Sequence, residues 1–153
     1  MSNAEQRLAA AGITLPAPVA PIANYVPFVR SGNLLHISGQ VSLDASGGIT
    51  GIVGEDVDAA TAVRAARLCG INLIAQIKAA TGDLDKAVRI VKLGGFVQAG
   101  PDFYDIPSII NGASDLMVEV FGEAGRHARS AVGVYRLPRN FAVEVDAVVE
   151  LLP

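Results

Sequence analysis

From Val143 to Leu151 every second residue is apolar. A period of two belongs to a strand, because successive side chains point to opposite faces of a sheet. The segment Ala142–Leu151 therefore reads as a strand with Val143, Val145, Ala147, Val149 and Leu151 on one side. Glu144, Asp146 and Glu150 fall on the other side. Such a strand buries one face and leaves the other outside the core, so this chain needs a sheet with a single covered face.

The cover comes from two helical segments. Val57–Ala80 carries Val63, Ala66, Cys69, Leu73 and Ile77 at helical spacing, with Asp56 or Asp58 before it and Gly82 after it. Those flanks are the expected N-cap and C-cap residues. Ser108–Phe121 reads as the second helix, after a loop at Pro101–Pro107. Cys69 lies in the apolar stripe of the first helix and reads as a core residue.

Shorter elements precede and separate these helices. Asn3–Ala11 is a short helix stopped by Gly12, and Leu15–Pro21 holds three prolines, which make it an extended arm. Val26–Arg30 and Leu34–Ser38 read as strands around Ser31-Gly32-Asn33, with a third, weaker strand expected before the long helix. Leu84–Lys86 begins a link into a strand near Val88–Val97, apolar on both faces and so interior. Gly94-Gly95 inside it marks a bulge or close packing. Gly122–Gly125 is a turn, and Arg129–Leu137 is the strand before the last. The order β-β-(β)-α-β-α-β-β predicts an α+β fold, a mixed sheet with two long helices on one face. Residues 1–153 form one domain, with residues 1–18 as an N-terminal extension.

In Arg129–Leu137 the residues Arg129, Ala131, Gly133 and Tyr135 share a face, opposite Ser130, Val132 and Val134. We expect the small residues and the acids of the last strand to lie on an uncovered face, where another subunit or a ligand can approach. Composition agrees, because 51% hydrophobic residues without a membrane-length apolar run need a core or a subunit interface.

The net charge of −3 and the absence of a Lys/Arg run argue against nucleic acid as a partner. No membrane segment or signal peptide is read, and a lone cysteine suits a reducing compartment, so a cytoplasmic location is expected. His36 and His127 have no metal-ligand spacing, and no phosphate-binding or dinucleotide-binding motif occurs. Neither metal nor cofactor is expected. What remains is chemistry by positioned charge, hydrogen bonds and water.

Three segments together resemble the Rid/YjgF family, also called endoribonuclease L-PSP. They are Pro21–Pro27 followed by Gly32–Gln40 with its Ser-Gly-Gln; Ala65–Asn72 with Gly82-Asp83-Leu84; and Ala128-Arg129-Ser130 with Leu137-Pro138 and Val143-Glu144-Val145. The resemblance implies a chorismate-mutase-like fold and a homotrimer, with a central barrel and three sites at subunit clefts. It implies hydrolysis of 2-imino acids, or their enamines, to keto acids and ammonia. Arg129 would hold the substrate carboxylate, Tyr25 would line the site and Glu144 would place the attacking water. Ala131, Ser38, Asn111, Ser114 and His127 are further candidates for substrate binding. The common deaminase pattern has cysteine where this chain has Ala131 and proline where it has His127, so the chain resembles a less characterised branch. The alternative reading is a non-catalytic protein that binds a small keto acid or carboxylate in the same cleft.

Overall fold

The computed structural model describes residues 2–153. Helix α1 (Asn3–Ala10) starts at a capping box, in which Ser2 and Glu5 satisfy each other's backbone N–H groups. The five strands are β1 (Phe28–Ser31), β2 (Leu34–Val41), β3 (Ala87–Gln98), β4 (Ala128–Val134) and β5 (Val143–Leu151). The helices between them are α2 (Ala59–Thr81) and α3 (Ile106–Phe121). The sheet runs β1-β2-β5-β3-β4, antiparallel except for the parallel β3–β4 pair. This is the α+β arrangement expected from the sequence.

The half-buried last strand occupies the middle of the sheet. In β5 the residues Val143, Val145, Ala147, Val149 and Leu151 are all buried, and those between them are not. Their covered face meets α2, whose Leu73, Ile74 and Ile77 are fully buried; α3, whose Ile110 and Leu116 are too, packs against α2 and covers β3 and β4. Asp58 caps α2 by accepting from the Thr61 N–H, and Gly82 closes it in a left-handed conformation at φ 72°. Cys69 is inside this core, and burial pushes its thiol well above the ordinary range.

Several boundaries differ from expectation for physical reasons. Helix α3 begins at Ile106, because Pro107 falls in the first turn, where its missing N–H costs nothing. Strand β4 stops at Val134, which pairs with Gln98, the last residue of β3, so Tyr135 and Arg136 have no ladder to join. No strand forms between β2 and α2 among the described residues; Thr50 and Val53 make only isolated bridges to Phe141, Val57 and Ala99. Gly122–Gly125 is a tight 3-10 turn.

The paired glycines of β3 serve close packing on both faces. A Cβ on Gly95 would sit 2.6–2.7 Å from Ile110 of α3. One on Gly94 would sit 2.4 Å from the Asp146 carboxylate on the opposite face. Overpacking of this kind usually costs about 1–3 kcal/mol.

Candidate functional site

Glu144 points to the open face of the sheet. Its neighbour across the strand pair is β2, where the register slips between Ile37 and Gln40. The Ser38-Gly39 segment is therefore a bulge, a device that often re-aims side chains beside a site. Gly39 is glycine because a Cβ there would stand 2.6 Å from Glu144 Oε2. Glu144 makes no ion pair among the described residues. Burial holds its carboxyl above the ordinary glutamate range, and the Asp146 carboxylate adds to the effect. Asp146 is itself raised by burial, with the Gly94 N–H and Lys92 acting against the shift.

The end of the proline arm and the irregular segment that continues it, together residues 19–27, cover Glu144 as one arm. Val19, Pro21, Ile22 and Tyr25 of the arm, Gly39 and Gln40 of β2, and Pro138 enclose with Glu144 a pocket of about 70 Å³. That space admits a few waters or a small polar group. Tyr25 and Glu144 thus line the same pocket. Ser38 lies behind the arm: its hydroxyl donates to the Val26 carbonyl at 2.8 Å.

Two amides that the sequence reading passed over shape the same region. Gln98 is fully buried; its Nε2 donates to the Gly51 carbonyl at 2.9 Å and to Asn140 Oδ1 at 2.8 Å. Its Oε1 accepts the Leu137 N–H at 2.7 Å. These bonds hold the loop that carries Pro138, in which Arg139 and Asn140 both adopt positive φ. Gln76 is likewise fully buried on α2 and donates to the Val19 carbonyl at 3.0 Å. The signal available in the sequence was an amide inside an apolar run, Leu73-Ile74-Ala75-Gln76-Ile77 and Phe96-Val97-Gln98.

A second cluster forms where β4 meets α3. Pro107, Asn111 and Ser114 stand about one turn apart on one ridge of α3. Arg129 reaches across to all three. Its Nη1 donates to Asn111 Oδ1 at 2.8 Å and to Ser114 Oγ at 3.2 Å, and its Nη2 donates to the Pro107 carbonyl at 3.3 Å. His127 joins through Nε2, 2.9 Å from Ser114 Oγ, while its Nδ1 lies 2.6 Å from the Gly125 carbonyl. One proton assignment satisfies every contact: Nδ1–H donates to Gly125, and Ser114 accepts from Arg129 and donates to Nε2. Arg129, His127, Asn111 and Ser114 are therefore brought together, with Ala131 two residues along β4 on the same side as Arg129.

That side is not the open face. Arg129 pairs with the fully buried Leu93, and Leu93 pairs in turn with the buried Ala147. Arg129, Ala131 and Gly133 thus look toward α3, and a Cβ on Gly133 would meet Ile106. This corrects the expectation that they share the uncovered face with Glu144. Two strands and three residues along the ladder separate Arg129 from Glu144, roughly 14 Å by standard sheet spacings, with the side chains on opposite faces. Within one chain the two clusters are separate.

No group of three or more His, Cys, Asp or Glu that could hold a metal ion occurs among the described residues. No helix among them is long and apolar enough to cross a membrane.

Known proteins share this fold and much of this sequence. A protein of unknown function from Agrobacterium tumefaciens has a crystal structure that superposes with a TM-score of 0.91 at 52% identity, covering 97% of this chain and 92% of that one. Protein TCP17 of Trypanosoma cruzi is 51% identical over 142 residues, 92% of this chain and 89% of its own. The 2-iminobutanoate/2-iminopropanoate deaminase of Dermatophagoides farinae is 30% identical over 139 residues, 90% of this chain and 93% of its own. The family described as "YjgF/chorismate_mutase-like, putative endoribonuclease" matches residues 5–151, which span all five strands, the Glu144 pocket and the Arg129 cluster. The chain belongs to this family, the Rid/YjgF proteins.

Proposed function

We propose that this protein hydrolyses 2-imino acids, or the enamines in equilibrium with them, to 2-keto acids and ammonia. We further propose that it works as a homotrimer in which the Arg129 cluster of one subunit faces the Glu144 pocket of the next. The observation that carries the reading is the pair of half-sites. One holds a planar cation and the other a half-buried carboxylate with raised affinity for protons, and a single chain keeps them on opposite faces of its sheet. The similarity to an imine deaminase supports the reaction class.

The residues suit each step. The Arg129 guanidinium would trade its neutral acceptors, Asn111 and Pro107, for the substrate carboxylate, which a planar fork binds with two bonds. Ser114 and His127 hold the fork in place and border the same end of the site. With the carboxylate fixed, the imine carbon meets a water in the Glu144 pocket. Glu144 takes a proton from that water as its oxygen bonds to the imine carbon, and a raised carboxyl is a better base for this than an ordinary one. Glu144 passes that proton to the imine nitrogen, which completes the carbinolamine. The carboxylate then takes the carbinolamine hydroxyl proton and hands it to the leaving nitrogen, so the C–N bond breaks as the C=O bond forms, and keto acid and ammonia depart. Tyr25 lines the pocket and would restrict the water that enters.

The test is direct. An amino-acid oxidase generates the imine in the presence and absence of the protein, and the decay of the imine is followed. Acceleration above the uncatalysed rate is the expected result, and an unchanged rate with bound keto acid would make this a carboxylate-binding protein. Light scattering should give a mass near three times the 15.8 kDa of the chain.

A further inference from the structure

We propose that Gln76 is a positioning residue for the Glu144 pocket, holding the proline arm from inside the core. For its catalytic consequence this rests on the imine-hydrolase reading; for its structural consequence it stands alone.

The arm from Val19 to Pro27 belongs to no helix or strand. Pro21 and Pro27 have no N–H to give, and among the described residues the Tyr25 N–H donates locally, to the Ala23 carbonyl at 2.9 Å. Two ties fix its ends. At the far end Ser38 donates its hydroxyl to the Val26 carbonyl at 2.8 Å and its N–H to the Pro27 carbonyl at 2.9 Å. At the near end Gln76 donates Nε2 to the Val19 carbonyl at 3.0 Å, with a longer 3.5 Å contact to Gln40 Oε1. Gln40 in turn donates to the Ser38 carbonyl at 3.0 Å. A single chain of amides thus joins α2, the start of the arm and the bulge that faces Glu144.

The chemistry of Gln76 separates this role from core packing. It is fully buried in a stretch of α2 where Leu73, Ile74 and Ile77 are fully buried too. Its Oε1 has no hydrogen-bond partner among the described residues. A buried acceptor left unpaired destabilises a fold, so stability alone favours an apolar residue at this position. The gain that remains is the hold on Val19 and Gln40, both of which line the pocket.

The experiment uses Gln76→Leu and Gln76→Met in the full chain. Hydrogen exchange of the Tyr25 and Ser38 N–H groups, which donate to the Ala23 and Pro27 carbonyls of the arm, should accelerate about tenfold or more when read by NMR, because local opening governs their protection. The melting temperature should stay level or rise. For the imine substrate kcat should fall about tenfold with KM within about twofold, since carboxylate binding at Arg129 is untouched. Wild-type exchange of these two N–H groups in both folded variants would overturn the proposal, whatever the turnover. A marked loss of melting temperature in both would also overturn it, by making Gln76 a core-packing residue. If the wild type shows no imine turnover, the reaction reading fails and the exchange result alone decides the role of Gln76.

Discussion

Arg129 hangs on a rigid frame of strand and helix, whereas Glu144 looks into a pocket whose far wall is an arm and a loop. The Arg129 half is built from side chains that satisfy one another. Asn111, Ser114, His127 and two backbone carbonyls use regular positions on α3 and around β4. The Glu144 half is built from irregular backbone held by the buried amides Gln98, Gln76 and Gln40. On the proposed reading, recognition and proton transfer would be supported differently: the cation by side chains on regular elements, the carboxylate by irregular backbone tied down with buried amides.

The largest effect should come from the Glu144 side. Glu144→Gln removes the base, and a positioned general base contributes about 10²- to 10⁴-fold, so kcat should fall by that order with little change in KM. A kcat near wild type would take proton transfer away from Glu144. Arg129→Ala should cost nearly as much in kcat/KM, roughly 30- to 4,000-fold, from about 2–5 kcal/mol for a lost charged pair. Lysine at 129 should recover little, and the assembly should stay intact; dissociation instead would make Arg129 an interface residue.

Mixing the two defective proteins sharpens the comparison. Trimers reassembled from equal amounts of Arg129→Ala and Glu144→Gln subunits regain an intact site wherever the surviving Arg129 faces the surviving Glu144. Random assembly gives that combination at about a quarter of the clefts, so about a quarter of wild-type turnover should return. No recovery would mean that both groups act within one chain.

A smaller effect concerns pH. Burial raises the folded-state pKa of Glu144 and of Asp146. Each group thus favours the fold when protonated. That contribution is fully present below the unfolded carboxylate range and is lost as pH rises through the raised values. Asp146→Asn should therefore raise the melting temperature by a few degrees at neutral pH, and the gain should vanish below about pH 4. A stabilisation that persists in acid would break the argument. For the same reason kcat/KM should climb with pH through the raised titration of Glu144 and then level. The smallest effect should follow thiol alkylation and chelation. Cys69 is buried with its thiol pushed well up, so reagent should leave native turnover unchanged, as should EDTA. Loss of activity with EDTA would point to a metal held between subunits.

The sequence by itself determined the parts whose signal is local. Alternation over Val143–Leu151 gave the half-buried strand, and helical spacing with Asp56 or Asp58 before it and Gly82 after it gave α2, whose cap proved to be Asp58. Cys69 in an apolar stripe gave a core thiol, and the motifs around Tyr25, Arg129 and Glu144 gave the family. Tertiary structure alone decided which way Arg129 points. A period of two says that Arg129, Ala131 and Gly133 share a face, but pairing with Leu93 selects the face, and that pairing joins residues distant in sequence. It also decided that the amides of Gln76 and Gln98 turn inward, since a glutamine looks like surface until the segment that needs its N–H groups folds against it. Periodicity is written in neighbouring residues; the partner of a strand or an amide is written only in the packed chain.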